Sequence, residues 1–138
     1  MKKQRVLILC TGNSCRSQMA EGFLRRAAGD RFEVFSAGVN PTAVNPFAIK
    51  VMAEAGVDIS AHTSKSAAGF AGQPFDYVMT VCDNARQTCP VFPGRYEAIH
   101  WDIEDPAGAD GSEEERLAFF RKVRDEIHAR VRAFAGSG

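Results

Sequence analysis

Five consecutive apolar residues, Val6-Leu7-Ile8-Leu9-Cys10, stand near the start of the chain, between Arg5 and Thr11. A strand that alternates can leave one face to water. A strand apolar at every position must be covered on both faces, and such strands belong to parallel sheets. Parallel strands in turn need crossover connections, usually helices. The rest of the sequence supplies them. Residues 17–28 put Met19, Ala20, Phe23, Leu24 and Ala27 on one helical face, with Gly29 as a stop. Residues 32–37 alternate as a strand does. Asn45-Pro46 caps a helix running to Gly56, with Ile49, Met52 and Ala53 inward. Residues 75–81 and 98–101 read as further strands, and 83–88 as a short helix. Ser112 and Glu115 form a capping box ahead of a stripe at helical spacing, Leu117, Phe120, Val123, Ile127, Val131 and Phe134. The expected fold is α/β, a single domain over residues 1–138. It is a three-layer sandwich around a four-stranded parallel sheet, with helices on both faces.

Size and charge narrow the function. A chain of 138 residues buries roughly 68% of its unfolded surface, enough for a core without covalent staples. Basic and acidic side chains balance at 17 each, which gives no global reason to expect nucleic acid or a membrane surface as partner. The distribution is uneven: residues 1–36 carry seven basic and three acidic groups. Lys2, Lys3 and the apolar run mimic a secretion signal, but the run is too short and no cleavage pattern follows. A cytoplasmic protein is expected, with reduced thiols unless they do redox or metal chemistry.

Ligands of parallel sheets bind beyond the carboxyl ends of the strands. That rule points to the turn after Cys10, to Cys82 and to the loop after Trp101. The first of these reads Cys10-Thr11-Gly12-Asn13-Ser14-Cys15-Arg16-Ser17, a cysteine and an arginine separated by five residues. The same spacing recurs at Cys89 and Arg95, so spacing alone decides nothing. The physics of an oxyanion cradle does. Successive backbone N–H groups must turn inward, and Pro90 and Pro93 of the second copy have none to give. The first copy has no proline. Gly12 and Asn13 tolerate left-handed backbone, and a helix N-terminus follows, which itself favours an anion. In that setting Cys10 is expected to be a thiolate, with Ser17 donating to the sulfur. Arg16 offers a planar fork matched to two oxygens of a tetrahedral anion. Thr11, Gly12, Asn13, Ser14, Cys15, Arg16 and Ser17 are the expected anion-binding residues. Asp105, stiffened by Pro106, is placed to protonate a leaving oxygen.

The remaining cysteines do not match zinc spacing, with four residues between Cys10 and Cys15 and six between Cys82 and Cys89. A redox relay fits them better. Cys82 ends a strand near the anion loop and can attack an adduct on Cys10; Cys89 can then attack Cys82. Were residues 82–89 helical, the two sulfur-bearing residues would lie about 10 Å apart along the axis. A disulfide needs Cα atoms within about 7 Å, so its formation must unwind that segment.

These residues together resemble the thioredoxin-coupled arsenate reductases of the low-molecular-weight tyrosine phosphatase fold. The resemblance also covers Gln18-Met19-Ala20-Glu21-Gly22, Ser36-Ala37-Gly38, Cys82 with Cys89-Pro90, and Trp101 to Pro106. It implies that Cys10 attacks arsenate, that Arg16 and the loop hold the oxyanions, and that Asp105 protonates the leaving hydroxyl. It further implies a Cys10–Cys82 disulfide, then a Cys82–Cys89 disulfide reduced by thioredoxin. No bound cofactor is then required; reduced thioredoxin is the electron donor, arsenate the substrate, and a monomer is expected. Cys15 is left as a packing residue, and His62 and His100 as structural or solvent-facing. Some relatives hold a potassium ion beside the loop. Asn13, Glu21 and Ser36 match three of its ligand positions, and Lys65 stands where those relatives have a carboxylate. The Lys65 ammonium is expected to replace the ion. The alternative reading is a low-molecular-weight protein tyrosine phosphatase, which shares the loop, Arg16 and Asp105. Ala107 after Asp105-Pro106, where such phosphatases place an aromatic residue, and the Cys82/Cys89 pair count against it. A thiol-based redox sensor without turnover is a second alternative.

Overall fold

The computed structural model describes residues 3–82 and 92–137. Strands β1 (Gln4–Cys10), β2 (Phe32–Gly38), β3 (Tyr77–Thr80) and β4 (Glu97–His100) form one sheet in the order β2-β1-β3-β4, every pair parallel. Val6, Leu7, Ile8 and Leu9 of the central β1 are all fully buried, as an unbroken apolar strand requires. Each such side chain contributes about 2 kcal/mol relative to exposure. Helices α1 (Arg16–Ala28), α2 (Pro46–Glu54) and α3 (Glu113–Ser137) pack with one another. The short helix expected over 83–88 lies outside the described residues.

The helices meet the sheet through Phe32 and Tyr77, both against Phe134 of α3. Phe47 at the start of α2 meets Phe120 edge to face at 5.5 Å, and Phe23 of α1 stacks on His128 at 4.3 Å. Gly22 lets α1 approach α2 and the loop after it. A Cβ there would stand 2.9 Å from Ile59 and 3.1 Å from Met52 and Val57. On the other face Phe35 packs with Phe70 of the 3-10 turn Ala67–Phe70 and with Phe75, which continues to Phe92. The Arg5 guanidinium lies 4.9 and 4.7 Å from the Phe35 and Phe75 rings.

The capping box forms as read: Glu115 N donates to Ser112 Oγ (3.1 Å) and Ser112 N to Glu115 Oε1 (3.2 Å). The α3 stripe from Leu117 to Val131 is buried, and Phe134 is half-buried. Helix α2 stops at Glu54, two residues short of Gly56, which takes φ +81 and turns the chain. Its inner face is Ala48, Val51 and Met52. Ala53, expected inward, is exposed. The α2 stripe is rotated because α3 draws Phe47 and Val51 rather than Ala53.

Helices α2 and α3 are also clipped by charge. Arg121 of α3 reaches both oxygens of Glu54 at 2.9 Å, and Arg124 donates to Glu54 Oε1 (3.0 Å) and to Val51 O (2.9 Å). The Arg121 hydrogen bonds pull the Glu54 pKa down to about 2. A carboxylate held below its unfolded value stabilises fully above that value and loses the contribution as pH falls toward the folded one. Glu54→Gln is therefore expected to lower the midpoint of thermal unfolding near neutrality. The gap to the parent protein should shrink steadily as pH falls from about 5 to about 3. A gap independent of pH across that range would contradict the assignment.

Candidate active site

Parallel pairing brings the carboxyl ends of all four strands to one edge, ending at Cys10, Gly38, Thr80 and His100. The chain leaves β1 at Cys10 and enters α1 at Arg16, and the residues between form a loop against the helix N-terminus. Asn13 supplies its left-handed residue, with φ 49. Gly12 is not left-handed; it is a position where a Cβ would stand 3.1 Å from Thr42 Oγ1. Gly38 allows the closest approach. A Cβ there would be 2.6 Å from Thr11 O and 2.8 Å from Asn13 N, so the end of β2 passes directly behind the loop.

A cavity of about 230 Å³ opens on the loop, lined by Cys10, Thr11, Gly12, Ser14, Cys15 and Arg16 together with Asp105, Asn40 and Thr42. Cys10 is 2% exposed. Its sulfur lies 2.8 Å from Ser17 Oγ and accepts a hydrogen bond from Asn13 N at 3.1 Å. A hydroxyl and a backbone N–H thus lie within hydrogen-bond reach of the sulfur. Arg16 Nη1 donates to Ile103 O (2.9 Å) and Val81 O (3.4 Å), and Nη2 pairs with Asp105 Oδ2 at 3.6 Å. One guanidinium thus joins the loop to the ends of two other strands. Asp105 caps the 3-10 turn Pro106–Gly108, its Oδ1 accepting from Ala107 N at 3.0 Å. The carboxyl is half-exposed at the cavity.

Cys82 reaches the same place. Its sulfur lies 3.3 Å from Thr11 Oγ1, the side chain adjacent to Cys10. Thr11, expected only as an anion-binding residue, therefore also touches the second thiol. Cys89 lies outside the described residues. Burial pushes the Cys15 thiol up to about 12, with Asp105 and Cys10 adding to the effect and Ser14 and Arg16 opposing it. Cys15 thus stays protonated at neutral pH and does not compete with Cys10, in keeping with a packing role.

Asn13 and Ser17 are fully buried and stand behind the cavity rather than in its wall. Asn13 Nδ2 donates to Ser17 Oγ (2.8 Å) and Ser36 Oγ (3.0 Å). Its Oδ1 accepts from Gln18 Nε2 and Lys65 N, both at 2.9 Å. Ser36 Oγ donates to Glu21 Oε1 at 2.5 Å, and Glu21 Oε2 pairs with Arg25 at 3.1 Å. The three side chains expected around a potassium ion converge, and their oxygens already have protein partners. The Lys65 ammonium donates to Thr63 O at 2.7 Å and lies within the field of the Glu21 carboxylate, while Arg25, one helical turn along α1 from Glu21, makes the direct ion pair.

His62 takes the structural one of its two expected places. Gln18, fully buried, spends its amide N–H groups on Asn13 O, Asn13 Oδ1 and Thr63 O. Its Oε1 must then accept, so His62 Nδ1, at 2.9 Å, carries the proton. Burial lowers the His62 pKa, opposed by Glu21. His100 Nδ1 lies 2.7 Å from Thr80 Oγ1. Single-residue motifs gave no hint of the Gln18–His62 contact, since 44 residues separate the partners.

The family model described as low molecular weight phosphotyrosine protein phosphatase matches residues 5–137. An arsenate reductase of Halalkalibacterium halodurans is 48% identical over 138 residues, spanning 100% of this chain and 99% of its own. One from Bacillus subtilis strain 168 is 46% identical over the same length and coverage. Among solved structures, an arsenate reductase in the oxidized state superposes with a TM-score of 0.82 at 32% identity, covering 97% of this chain and 98% of that one. A Corynebacterium glutamicum thioredoxin-dependent arsenate reductase superposes with a TM-score of 0.74 at 29% identity, covering 98% of this chain and 61% of that one.

The Gln18 network gives a direct stability test. Gln18→Leu keeps the shape but strips donors from buried oxygens and leaves His62 Nδ1 unpaired. We expect a loss of about 2 kcal/mol in urea unfolding, with the slope unchanged. A loss near zero would mean that water or a rearranged Asn13 replaces the amide.

Proposed function

The chain belongs to the low molecular weight phosphotyrosine protein phosphatase family, and we propose that within it the protein is an arsenate reductase regenerated by thioredoxin. The observation that carries this reading is Cys82 Sγ beside Thr11 at the mouth of the anion loop. A phosphatase needs one thiolate; a second thiol there serves electron transfer. The curated relatives named arsenate reductase, matched end to end, support it.

Mechanistically, the Cys10 thiolate attacks arsenic while Arg16 and the loop amides hold the oxygens, and Asp105 gives its proton to the departing hydroxyl, which leaves as water. Arg16 beside Asp105 keeps the acid at the cavity. The Cys82 thiolate then attacks Cys10 Sγ. The sulfur–sulfur bond forms as the sulfur–arsenic bond breaks, and its electron pair stays on arsenic, which departs as arsenite. Cys89 attacks Cys82 and releases Cys10 as thiolate, and thioredoxin's dithiol reduces the Cys82–Cys89 disulfide. The two electrons gained by arsenic come from two cysteine thiolates and are restored by thioredoxin. Thr11 Oγ1 is placed to donate to the Cys82 thiolate. The tyrosine phosphatase alternative uses only the first half of this sequence.

The test is NADPH oxidation with thioredoxin and its reductase. Cys82→Ser and Cys89→Ser are each expected to lose arsenate-dependent turnover while keeping hydrolysis of p-nitrophenyl phosphate at the parent level. Full arsenate turnover in either variant would exclude the relay. Since Glu21 is already paired with Arg25, exchanging sodium for potassium chloride at constant ionic strength should leave kcat/KM for arsenate unchanged. A marked rise would mean that a cation enters among Asn13, Glu21 and Ser36.

A further inference from the structure

An anion cradle of backbone amides faces a geometric demand. In a trans peptide the N–H and C=O of one unit point in opposite directions. If the N–H groups of the loop turn inward, its carbonyls must turn outward, and every buried outward carbonyl needs a donor. Those donors fix the peptide planes, and hence the direction of the amides, from behind.

Four of those donors come from a single stretch of chain. Val39 N donates to Cys10 O (3.1 Å), Asn40 N to Thr11 O (2.8 Å), Thr42 N to Gly12 O (3.0 Å) and Asn45 N to Ser14 O (3.0 Å). Pro41 has no N–H and falls where none is used. Of the two loop carbonyls the stretch does not reach, Asn13 O accepts from Ser64 Oγ at 2.7 Å and from Gln18 Nε2 at 3.1 Å, and Cys15 O accepts from Met19 N at 2.9 Å in the first turn of α1. Gly38 lets this stretch start in direct contact with the loop, and Asn45 ends it as the cap of α2, accepting from Phe47 N at 2.8 Å. The stretch is thus tied to β2 at one end and a helix at the other. Neither tie depends on the cysteines.

We propose that Val39, Asn40, Thr42 and Asn45 form a positioning strap for the oxyanion loop: their four backbone N–H groups hold the loop peptides with amides inward, and so set the affinity for a tetrahedral oxyanion apart from the thiol chemistry. The proposal rests on the reading of the loop as the oxyanion site. Each strap bond fixes the amide on the far side of the same peptide: the Thr42 donor fixes the Gly12–Asn13 unit, whose N–H reaches Cys10 Sγ. The strap carries no group that touches the reacting atoms by its backbone, so its members are positioning residues.

The decisive variant removes one N–H and nothing else. Replacing Thr42 by the corresponding α-hydroxy acid turns its amide into an ester, which deletes the backbone donor to Gly12 O at 3.0 Å and keeps the side chain, whose Oγ1 donates to the same oxygen over a longer 3.5 Å. Inorganic phosphate, binding measured by calorimetry, is the probe, because its binding needs no redox step. The ester at 42 is expected to weaken phosphate about fivefold to tenfold, the scale of one hydrogen bond. It should raise KM for arsenate by the same factor and leave kcat within about twofold. The same replacement at Ala43, whose N–H makes no loop contact, is the control and should change neither value. Equal phosphate affinity for the esters at 42 and 43 would overturn the strap, as would a loss of kcat at unchanged affinity, the mark of general destabilisation. Loss of thioredoxin-linked turnover from the unmodified protein, with the difference in phosphate binding intact, would refute the relay and leave the strap standing.

Discussion

A peptide dipole cannot be aimed at one end only. The proposed function asks consecutive peptides of the loop to present N–H groups to an anion, and the carbonyls on their far sides must then find donors of their own. Most of the molecule's arrangement around the loop answers that demand. Strand β2 lies next to β1 in register, so its end emerges behind the loop. Gly38 removes the Cβ that would block the approach. Residues 39–45 and Ser64 provide the donors, and Gln18 and Asn13 complete the buried network. Arg16 then connects this assembly to Ile103 and Asp105 at the other side of the cavity.

The thiol chemistry is added to this frame rather than built into it. Cys10 sits inside the cradle, and Cys82 arrives from the end of β3 and meets the loop at Thr11. A fold that holds a tetrahedral anion over a thiolate serves ester hydrolysis as it stands. In the proposed reaction a second thiol is a small change in sequence and a large one in chemistry, because it gives the covalent adduct a different exit. That is why family membership and reaction are separate conclusions for this chain.

What could be read from the sequence followed from local physics. The apolar run at β1, the capping box at Ser112 and the proline-free loop each depend on residues within a few positions of one another, and each appears where it was read. Cys10, Arg16 and Asp105 line one cavity because strand ends of a parallel sheet share an edge. What could not be read depends on tertiary approach. Lys65 stands near Glu21 in the fold, yet Arg25 makes the ion pair because it is one turn away on the same helix. His62 was open between a structural and a solvent-facing place because its partner Gln18 carries no chemical signature. Ala53 looked inward because a helical stripe is two residues wide, and only packing against α3 decides which edge is covered. The strap was invisible for a plainer reason: its donors are main-chain groups, and a main chain has no sequence.

The central claim is that arsenic takes its electrons from cysteines of this chain. It is tested most directly by a single turnover. Fully reduced protein is mixed with arsenate in the absence of thioredoxin, then blocked with an alkylating agent and digested, and disulfides are mapped by mass spectrometry while arsenite is counted. The account predicts one arsenite per chain, a Cys82–Cys89 disulfide, and Cys10 alkylated. Arsenite released with Cys82 and Cys89 both alkylated, or no arsenite at all, would contradict it.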